Sequence, residues 1–402
     1  MTGLIKVGIV FIALILLTIK RVSLWISLFA ATILLGLLFH LSVSQIALDL
    51  LSSALGRSTL LLLGALTAIL FFSNLMRETG RMEEILEGFR HILKDIRIVI
   101  ALLPALIGLL PIVGGALVSA PMVVAGSDEL RLSAERRTFI NYWFRHIWEY
   151  ILPTYPAVIL AAAVIGIPAR RFIWANLPLT PVAILGGMIA GFWGVSKSLR
   201  ELDPSSQTTS LVRLIQNLSP LLFALILVIG FKVELAYALG IAIGGMILLF
   251  RIGKEKVIKG FRECIDINLL LSVIAIMGFK KVLETSQAIS SVSGSLSASG
   301  VPAPLIVMFI PFLIGFMTGY AIATMGIALP ILAPYLKDHP QFAGYMMLGF
   351  TSGFCGTMLS PFHLCLLLTK NYFRANWKGI YRLALLPIAL ILFVRLFMTL
   401  FL

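Results

Sequence analysis

The sequence predicts an all-α membrane protein of about ten transmembrane helices in two inverted five-span repeats, each with a re-entrant hairpin and a broken helix. Three observations lead to this fold class. Hydrophobic residues fill 59% of the 402 positions, charged residues 12%, and the mean hydropathy is +1.03; soluble domains carry about twice that share of charge. Most charges lie between apolar runs of about 15 to 25 residues, the length that crosses a bilayer. Finally, the order of these runs occurs twice along the chain.

Ten apolar runs are the predicted spans. The run 4–19 has the length of a signal-peptide core, but no small-residue cleavage site follows it and a second run starts almost at once, so we expect a retained span. In order, the predicted spans lie near 4–19, 22–40, 58–76, 139–166 and 172–194 in the first half, and near 218–231, 233–250, 266–283, 341–369 and 380–402 in the second.

A long apolar segment interrupted by Pro and Gly lies between the third and fourth spans of each half, at 98–126 and at 302–335. Each segment is long enough for two half-crossings, which predicts a re-entrant hairpin. A stretch with helical character precedes each hairpin, at 81–95 and 286–299, and we expect it to lie along the membrane surface.

The two halves share short motifs as well as an order of elements. PALIG at 104–108 matches PFLIG at 311–315. We therefore predict a first repeat over 1–200, a cytoplasmic linker over 201–217 and a second repeat over 218–402. Five crossings are an odd number, so the second copy is inverted relative to the first if both hairpins are re-entrant. Inverted repeats are a known transporter architecture, with the substrate at the midplane between the copies.

Basic residues indicate the orientation. The net charge of +14 would suit a nucleic-acid-binding protein, but these residues lie in loops between spans, where membrane topology explains them, and nucleic acid is not an expected partner. The predicted topology collects 22 Lys and Arg on one side and 8 on the other. Because loops rich in Lys and Arg stay in the cytoplasm, we expect both termini to lie outside the cell (inner or plasma) membrane. Hairpin 98–126 then opens inward and hairpin 302–335 outward.

Both fourth spans contain a predicted helix break. GTMLSPFHLC at 356–365 interrupts an apolar run with glycine, hydroxyl groups, proline and histidine. A break in lipid leaves backbone N–H and C=O groups that protein, water or ligand must satisfy, so it is expected to line a cavity. In the first half, NYWFRHIWEYILPTYP at 141–156 is predicted to break at Pro153 and Pro156. This stretch adds three ionisable residues of a kind that membranes rarely contain without a function: Arg145, His146 and Glu149.

The candidate binding residues are the polar and glycine positions at the breaks and hairpin tips. Among them, the Arg145 guanidinium would match a carboxylate or a similar oxyanion. Glu149 is the candidate coupling residue, because it is the only carboxylate predicted inside a span close to a break. The full set of candidate substrate-binding residues is Gly114, Gly115, Ser119, Arg145, Thr154, Thr318, Gly319, Thr324, Thr357, Ser360 and His363.

Each of these residues also has a structural interpretation. Arg145 could extend along its helix to the cytoplasmic surface, or it could neutralise Glu149 four residues away on one helix face. His363 could be a hydrogen-bonded core residue, the hairpin tips could be ordinary tight turns, and the prolines could be simple kinks. Three cysteines without CxxC spacing are expected to be small core residues, and no metal site is expected.

Three segments carry a family resemblance: LLPIVGGALVSAPM at 109–122, TGYAIATMGIALPIL at 318–332 and SPFHLCLLLTKNYF at 360–373. With them the chain resembles the ion transporter superfamily, which includes dicarboxylate–sodium symporters, gluconate and citrate permeases and arsenite pumps. More narrowly, it is similar to an uncharacterised ten-span integral membrane family within that group. The resemblance implies a homodimer, each subunit having a scaffold domain and a moving domain made of two hairpins and two unwound helices.

One departure from the family bears on the substrate. The Ser-Asn-Thr signature of the dicarboxylate symporters is absent from both hairpin tips, which puts sodium coupling and a dicarboxylate in doubt. We expect an elevator-type secondary transporter for a small anion, with a zwitterion left open, coupled to Na⁺ or H⁺ and without a cofactor. A channel on the same fold and a membrane-embedded enzyme are the alternatives. No HExxH, GxSG or Walker A motif is present, so we do not expect an enzyme or an ATP-driven pump.

Overall fold

The described residues fold mainly into α-helices. The structure is a computed structural model that describes residues 2–20, 22–81, 84–85, 93–109, 115–127, 130–198, 204–286, 288 and 300–401. In the first half the helices are α1 (Thr2–Ile19), α2 (Leu24–Leu38), α3 (Val43–Ala54), α4 (Arg57–Glu78), α5 (Ile96–Ile107), α6 (Gly115–Ser127), α7 (Ala134–Arg145), α8 (Pro156–Ile165), α9 (Ala169–Asn176) and α10 (Leu179–Phe192). In the second half they are α11 (Pro204–Ile229), α12 (Leu235–Leu249), α13 (Lys254–Glu263), α14 (Ile267–Thr285), α15 (Ala303–Thr318), α16 (Ala321–Tyr335), α17 (Phe342–Leu359), α18 (Leu364–Phe373) and α19 (Trp377–Phe401).

Several helices are apolar enough for a membrane. By length and composition, four segments of the described chain can cross it: Arg57–Glu78, Leu211–Val228, Phe342–Phe373 and Trp377–Phe401. The pair α8 and α9, bent by 109°, would make a fifth. Other apolar helices have 10 to 17 residues, shorter than the ~20 that a straight crossing needs. The protein is therefore a multi-pass membrane protein with both long and short apolar helices.

Polar side chains set the start of several helices. The hydroxyl groups of Ser42 and Ser133 accept from the backbone N–H groups of Gln45 and Arg136, and the Asp266 carboxylate accepts from that of Leu269. Such caps satisfy N–H groups that have no partner within the helix. At the start of α5, Asp95 accepts from the Arg97 backbone N–H and forms a 2.9 Å ion pair with the Arg97 guanidinium. The hydrogen bonds from the Arg97 side chain lower the pKa of Asp95.

The helices differ from the predicted spans in four places. Helix α3 (Val43–Ala54) lies between the predicted spans 22–40 and 58–76, where no helix was expected. The predicted fifth span, 172–194, is divided into α9 and α10. The predicted linker 201–217 is helical from Pro204 onwards, as the beginning of α11. The charged stretch 254–259, which the basic residues suggested was a loop, lies in α13, whose Gly260 is buried against Phe71 while Lys254 and Lys256 are exposed. The polar and charged residues of 201–217 and 254–259 indicated that these two segments lie outside the spans. Charge alone does not distinguish a loop from an amphipathic helix. Of the predicted surface stretches, 82–83, 86–92, 287 and 289–299 lie outside the described residues.

The helices pack into two bundles, and each bundle takes helices from both halves of the chain. The frame bundle contains α1–α4 and α11–α14; in it α2 and α3 pack against α14, while α12 and α13 pack against α4. The core bundle contains α5–α10 and α15–α19; in it α5 and α6 pack against each other and against α7, while α15 and α16 pack against each other and against α17. The core bundle contains both predicted hairpins and both predicted broken helices.

The interface between the bundles is smaller than the contacts within them. It consists mainly of α14 against α8 and α16, α4 against α8, α1 against α15, and α9 against α11. The Lys280 ammonium of α14 donates across it to the Val164 carbonyl oxygen of α8, 3.0 Å away. A cavity of about 570 Å³ also lies at this interface, lined by residues that include Ser58, Ile159, Arg170 and Lys232.

One buried arginine has a structural explanation. Arg395 in α19 is 3% exposed, and its guanidinium donates to the carbonyl oxygens of Ala175 (2.9 Å) and Gly344 (3.3 Å). Ala175 lies in the last turn of α9, where carbonyl groups lack partners within the helix and a positive charge is favourable. Arg395 therefore joins α9, α17 and α19 at the edge of the core bundle.

Candidate functional site

The first helix break begins earlier than its prolines suggest. Helix α7 ends at Arg145, residues 146–155 form a series of turns, and α8 begins at Pro156. The break therefore includes Pro153 and ends at Pro156, as predicted, but it begins about two helical turns before Pro153, so that Arg145 lies at its edge. Arg145 is 3% exposed, so in this structure its side chain does not extend to a membrane surface.

Side chains of the first break hold the end of helix α5. The Trp148 indole N–H donates to the Ala105 carbonyl oxygen (2.8 Å), and the Thr154 hydroxyl donates to that of Leu109 (3.3 Å). The Tyr155 hydroxyl donates to the carbonyl oxygen of Gly108. These bonds satisfy carbonyl groups that the end of α5 leaves without partners. The hydroxyl of Thr154, a candidate binding residue, therefore has a structural role here.

The repeated motif PxLIG brings each hairpin onto the broken helix of its own half. A Cβ atom added to Gly108, the last residue of the first copy, would overlap the carbonyl group of Arg145. A Cβ atom added to Gly315, the last residue of the second copy, would overlap the Gly353 carbonyl oxygen and the Thr357 backbone nitrogen. Only glycine allows these backbones to approach so closely. The equivalent glycines thus make equivalent contacts.

The second break lies where the sequence predicts it. Helix α17 ends at Leu359 and α18 begins at Leu364. Between them the Ser360 hydroxyl accepts from the Phe362 backbone N–H at 3.2 Å. The hairpin tip packs directly against this break, because a Cβ on Gly319 would overlap Phe362, His363 and the Ser360 hydroxyl. Gly319 also has a φ of +63°, a left-handed conformation that favours glycine.

A chain of three hydroxyl groups joins the second hairpin to the second broken helix. The Thr324 Oγ1 lies 3.1 Å from the Thr318 Oγ1 and 3.1 Å from the Thr357 Oγ1. Thr318 ends α15, Thr324 lies in the first turn of α16, and Thr357 lies in the last turn of α17. The three predicted threonines therefore come together at one point, and Thr324 and Thr357 are fully buried there.

The two breaks meet at aromatic side chains. The rings of His146 and His363 are 5.0 Å apart, and the Tyr142 ring lies 4.6 Å from the first and 5.4 Å from the second, between centroids. The Tyr142 hydroxyl donates to the Met358 carbonyl oxygen at 2.9 Å, next to the second break. Tyr142 and His146 belong to the first half of the chain, whereas His363 and Met358 belong to the second. These contacts therefore hold the two breaks against each other.

Glu149 is buried within the first break. Its Oε1 lies 3.7 Å from the His146 Nε2, and the residue is 8% exposed. The carboxyl group is therefore close to an imidazole, near the point where the breaks meet. A buried carboxylate beside polar groups at a helix break can bind a cation or take up a proton.

The structure brings most of the predicted residues into this region. Thr318, Gly319, Thr324, Thr357, Ser360 and His363 surround the second break, while Arg145 and Glu149 lie at the first. Ser119 is buried within α6, Gly115 is the first residue of α6, and Gly114 lies outside the described residues.

Sequence reasoning missed four residues of this region. Tyr142 and Cys365 look like ordinary apolar positions, and His146 was noted as ionisable but left out of the candidate set. Asn141 was also missed; its Nδ2 donates to the Ala116 carbonyl oxygen (2.8 Å) and to the Thr369 hydroxyl (3.4 Å), which joins α7 to α6 and α18. The available signal was that Asn141, Tyr142 and His146 are polar or ring-bearing residues within six positions of one predicted broken helix, with Tyr142 and His146 one turn apart.

Comparisons with known proteins agree with a membrane transporter fold. A protein family described as "Protein of unknown function (DUF401)" matches residues 4–401. No curated protein matches the chain. Among solved structures, the chain is similar to the YdaH transporter of Alcanivorax borkumensis, whose structure was reported to have an unusual topology. The two are 13% identical, with a TM-score of 0.64 over 96% of this chain and 97% of that one. At this identity, the likeness shows a shared fold.

Proposed function

The chain belongs to the DUF401 family, whose function is unknown, and we propose that it is a secondary active transporter for a small anionic solute. The observation that carries this proposal is the meeting of two broken helices at a buried, polar point of the core bundle. Broken helices inside a membrane are tolerated where they line a binding site or cavity. The likeness of the fold to a transporter structure supports the same class of function.

We propose that the two halves are inverted repeats, with hairpins 98–126 and 302–335 re-entrant. Reciprocal packing supports this. Helix α16 of the second hairpin packs against α8, which follows the break in the first half, and the equivalent helix α6 of the first hairpin packs against α18, which follows the break in the second half. In the frame bundle, α2 and α3 contact α14 as α12 and α13 contact α4. Such exchange of equivalent contacts is expected when two copies are related by an approximate two-fold axis. Ten spans, external termini and a location in the cell membrane complete this topology.

We propose an elevator mechanism, in which the core bundle moves against the frame bundle and carries the site across the membrane. The small interface between the bundles and the cavity at its edge support such a movement. The breaks themselves are fixed by contacts within the core bundle, so the site would move as one body. The homodimer and the membership of the ion transporter superfamily, both implied by resemblance, belong to the same proposal.

We propose that the anion binds where the breaks meet. Arg145 would provide a guanidinium, the start of α18 would direct its backbone N–H groups towards the site, and Ser360 would provide a hydroxyl group. Removing an anion from water needs such compensating donors, and these three lie at the two breaks. Glu149 is the proposed coupling residue, binding the cation, Na⁺ or H⁺, that moves with the substrate.

Uptake by purified protein in liposomes tests this function. A panel of small organic and inorganic anions is offered with and without a sodium gradient and with and without a pH gradient. We expect uptake of at least one anion, driven by one of the two gradients and absent from empty liposomes. Transport of cations or neutral solutes only would contradict an anion site, and gradient-independent flux at channel rates would favour a channel.

A further inference from the structure

Three buried side chains with metal-ligand chemistry meet where the helix breaks touch. His146, His363 and Cys365 each offer one ligand atom, and these atoms all lie within 4.8 Å of one another. We call these residues the His-His-Cys cluster. His146 is 2% exposed, and His363 and Cys365 are each 9% exposed. His146 comes from the first break, while His363 and Cys365 come from the second break and the start of α18.

Backbone carbonyl groups fix which nitrogen of each histidine is available. The Nδ1 of His146 lies 2.6 Å from the Tyr142 carbonyl oxygen, and the Nδ1 of His363 lies 3.2 Å from that of Thr357. A carbonyl oxygen can only accept a hydrogen bond, so each Nδ1 carries the hydrogen and the neutral ring has its lone pair on Nε2. Histidines that bind metals almost always donate their other N–H in this way, which orients the ring and raises its basicity.

We propose that the His-His-Cys cluster binds one transition metal ion of the kind that prefers nitrogen and sulfur ligands, with Zn²⁺ as the representative ion. Two imidazoles and a thiolate select such ions over Mg²⁺ and Ca²⁺, which prefer oxygen. Three protein ligands leave the fourth position of a tetrahedral ion to water or another small molecule. On binding, the Cys365 thiol loses its proton to solvent and the sulfur bonds to the metal.

The distances are compatible with this site after a small movement. Zinc bonds nitrogen at about 2.0 Å and sulfur at about 2.3 Å, so neighbouring ligand atoms of a tetrahedral site lie about 3.3–3.6 Å apart. The ligand atoms lie within 4.8 Å of one another, so the most distant pair would have to approach by up to about 1.5 Å, which rotations of the side chains can provide. No local pattern indicates this site, since more than half of the chain separates His146 from His363 and Cys365.

Cobalt binding to the purified full-length protein tests the proposal, because Co²⁺ occupies zinc sites and absorbs light. The protein is freed of metal with a chelator, and Co²⁺ is titrated in detergent. We expect one Co²⁺ per chain, a near-ultraviolet band from charge transfer between thiolate and cobalt, and displacement of Co²⁺ by Zn²⁺. Cys365→Ser should abolish the thiolate band, and His363→Gln should weaken Co²⁺ binding at least tenfold.

A matched control separates the cluster from general effects of losing a buried thiol. Cys355, in α17, is fully buried but lies outside the cluster, so Cys355→Ser should keep both the band and the affinity. A wild-type protein without the band, or a band that persists in Cys365→Ser, would overturn the proposal. If Cys365→Ser does not fold, His146→Gln and His363→Gln decide the question with the thiol in place. The measurement needs no transport, so its failure is distinct from failure of the proposed function.

Discussion

The imidazole rings of His146 and His363 lie 5.0 Å apart and nearly perpendicular, at 84°, although they come from opposite halves of the chain. Each histidine belongs to a helix break, and Tyr142 contacts both rings. The breaks are therefore parts of one region, and a solute held at either break would lie close to both. A substitution at the first break, such as one of Arg145, should therefore change the affinity for a solute bound between the two breaks.

Arg145→Lys should weaken anion binding while keeping the charge. A lysine ammonium lacks the planar pair of donors that matches a carboxylate or similar oxyanion, and a charge-assisted hydrogen bond contributes about 1–3 kcal/mol. We expect the Kd for the transported anion to rise roughly 5- to 150-fold, measured by ligand-dependent thermal stabilisation of purified protein. Arg395→Lys is the control, since Arg395 is equally buried but donates to helix-end carbonyl groups away from the breaks. An unchanged affinity in Arg145→Lys would assign Arg145 a structural role.

Glu149→Gln should uncouple transport from its driving gradient. The amide cannot take up a proton or neutralise a cation as the carboxylate can, but it occupies the same volume beside His146. We expect exchange of anion across the liposome membrane to continue while accumulation against a gradient is lost. Glu135→Gln is the matched control. Glu135 lies at the start of α7, away from the break, and its carboxylate accepts hydrogen bonds from Asn376. Accumulation that still follows the imposed gradient in Glu149→Gln would place the coupling site elsewhere.

Gly108→Ala and Gly315→Ala should each destabilise the protein. The added Cβ atoms would overlap backbone atoms of the broken helices, which cannot be moved aside as a flexible side chain can. Overpacking of this kind costs about 1–3 kcal/mol, so we expect a lower Tm and loss of uptake. Gly64→Ala in α4 is the control, because a Cβ there would meet nothing within 4 Å. Equal stability of all three variants would mean that the PxLIG glycines do not hold the hairpins in place.

The apolar helices could be predicted from the sequence, but the beginning of the first break could not. Hydrophobicity located the four described segments that are long and apolar enough to cross a membrane, but it did not locate α3 or the part of α11 before residue 218. Proline was a poor guide to where helices end: Pro104, Pro121, Pro311 and Pro330 all lie inside helices. In the first break, α7 stops eight residues before Pro153. There, the turns 146–155 find partners in helix α5 that local sequence does not show.

The composition of the site was only partly predictable for a similar reason. Thr318, Thr324 and Thr357 were identified because hydroxyl groups near glycine and proline are conspicuous in apolar runs. Tyr142 and Cys365 were not, because their chemistry is ordinary within a hydrophobic span. Their importance comes from pairing between the two halves, which no local pattern encodes.

Cysteines on opposite sides of the first broken helix should report opposite sides of the membrane. Arg131 precedes α7 and Arg170 follows α8, and both are exposed. If α7, the break and α8 form one crossing, then Arg131→Cys should react with an impermeant maleimide from the cytoplasm and Arg170→Cys from outside. The three native cysteines are buried, so the unmutated protein should show little labelling. Labelling of both sites from the same side would remove one crossing and contradict the inverted repeat.

A crosslink between the bundles should stop an elevator movement. A Cβ atom on Gly326 of α16, in the core bundle, would fall against the side chain of Ile276 of α14, in the frame bundle. That position lies 2.6 Å from the Ile276 Cγ1 and 3.4 Å from its Cγ2, both bonded to the Ile276 Cβ. We therefore expect the double variant Ile276→Cys, Gly326→Cys to form a disulfide under oxidising conditions, since the two Cβ positions are close to the ~4 Å separation that suits that bond. Uptake should fall to background on oxidation and return on reduction, since the core bundle could not slide past α14 while tied to it.

The chain also offers a matched pair within the frame bundle. A Cβ atom on Gly278 of α14 would fall against the side chain of Leu50 of α3, and both helices belong to the frame. A disulfide in Leu50→Cys, Gly278→Cys, verified by mass spectrometry, should therefore leave uptake intact, although it uses the same helix α14 and the same chemistry. Oxidised wild-type protein controls for the native cysteines. Full transport by the oxidised Ile276→Cys, Gly326→Cys protein, with the disulfide verified by mass spectrometry, would exclude relative movement at this interface. The solute would then have to reach the breaks by local opening of the hairpins rather than by displacement of the core bundle.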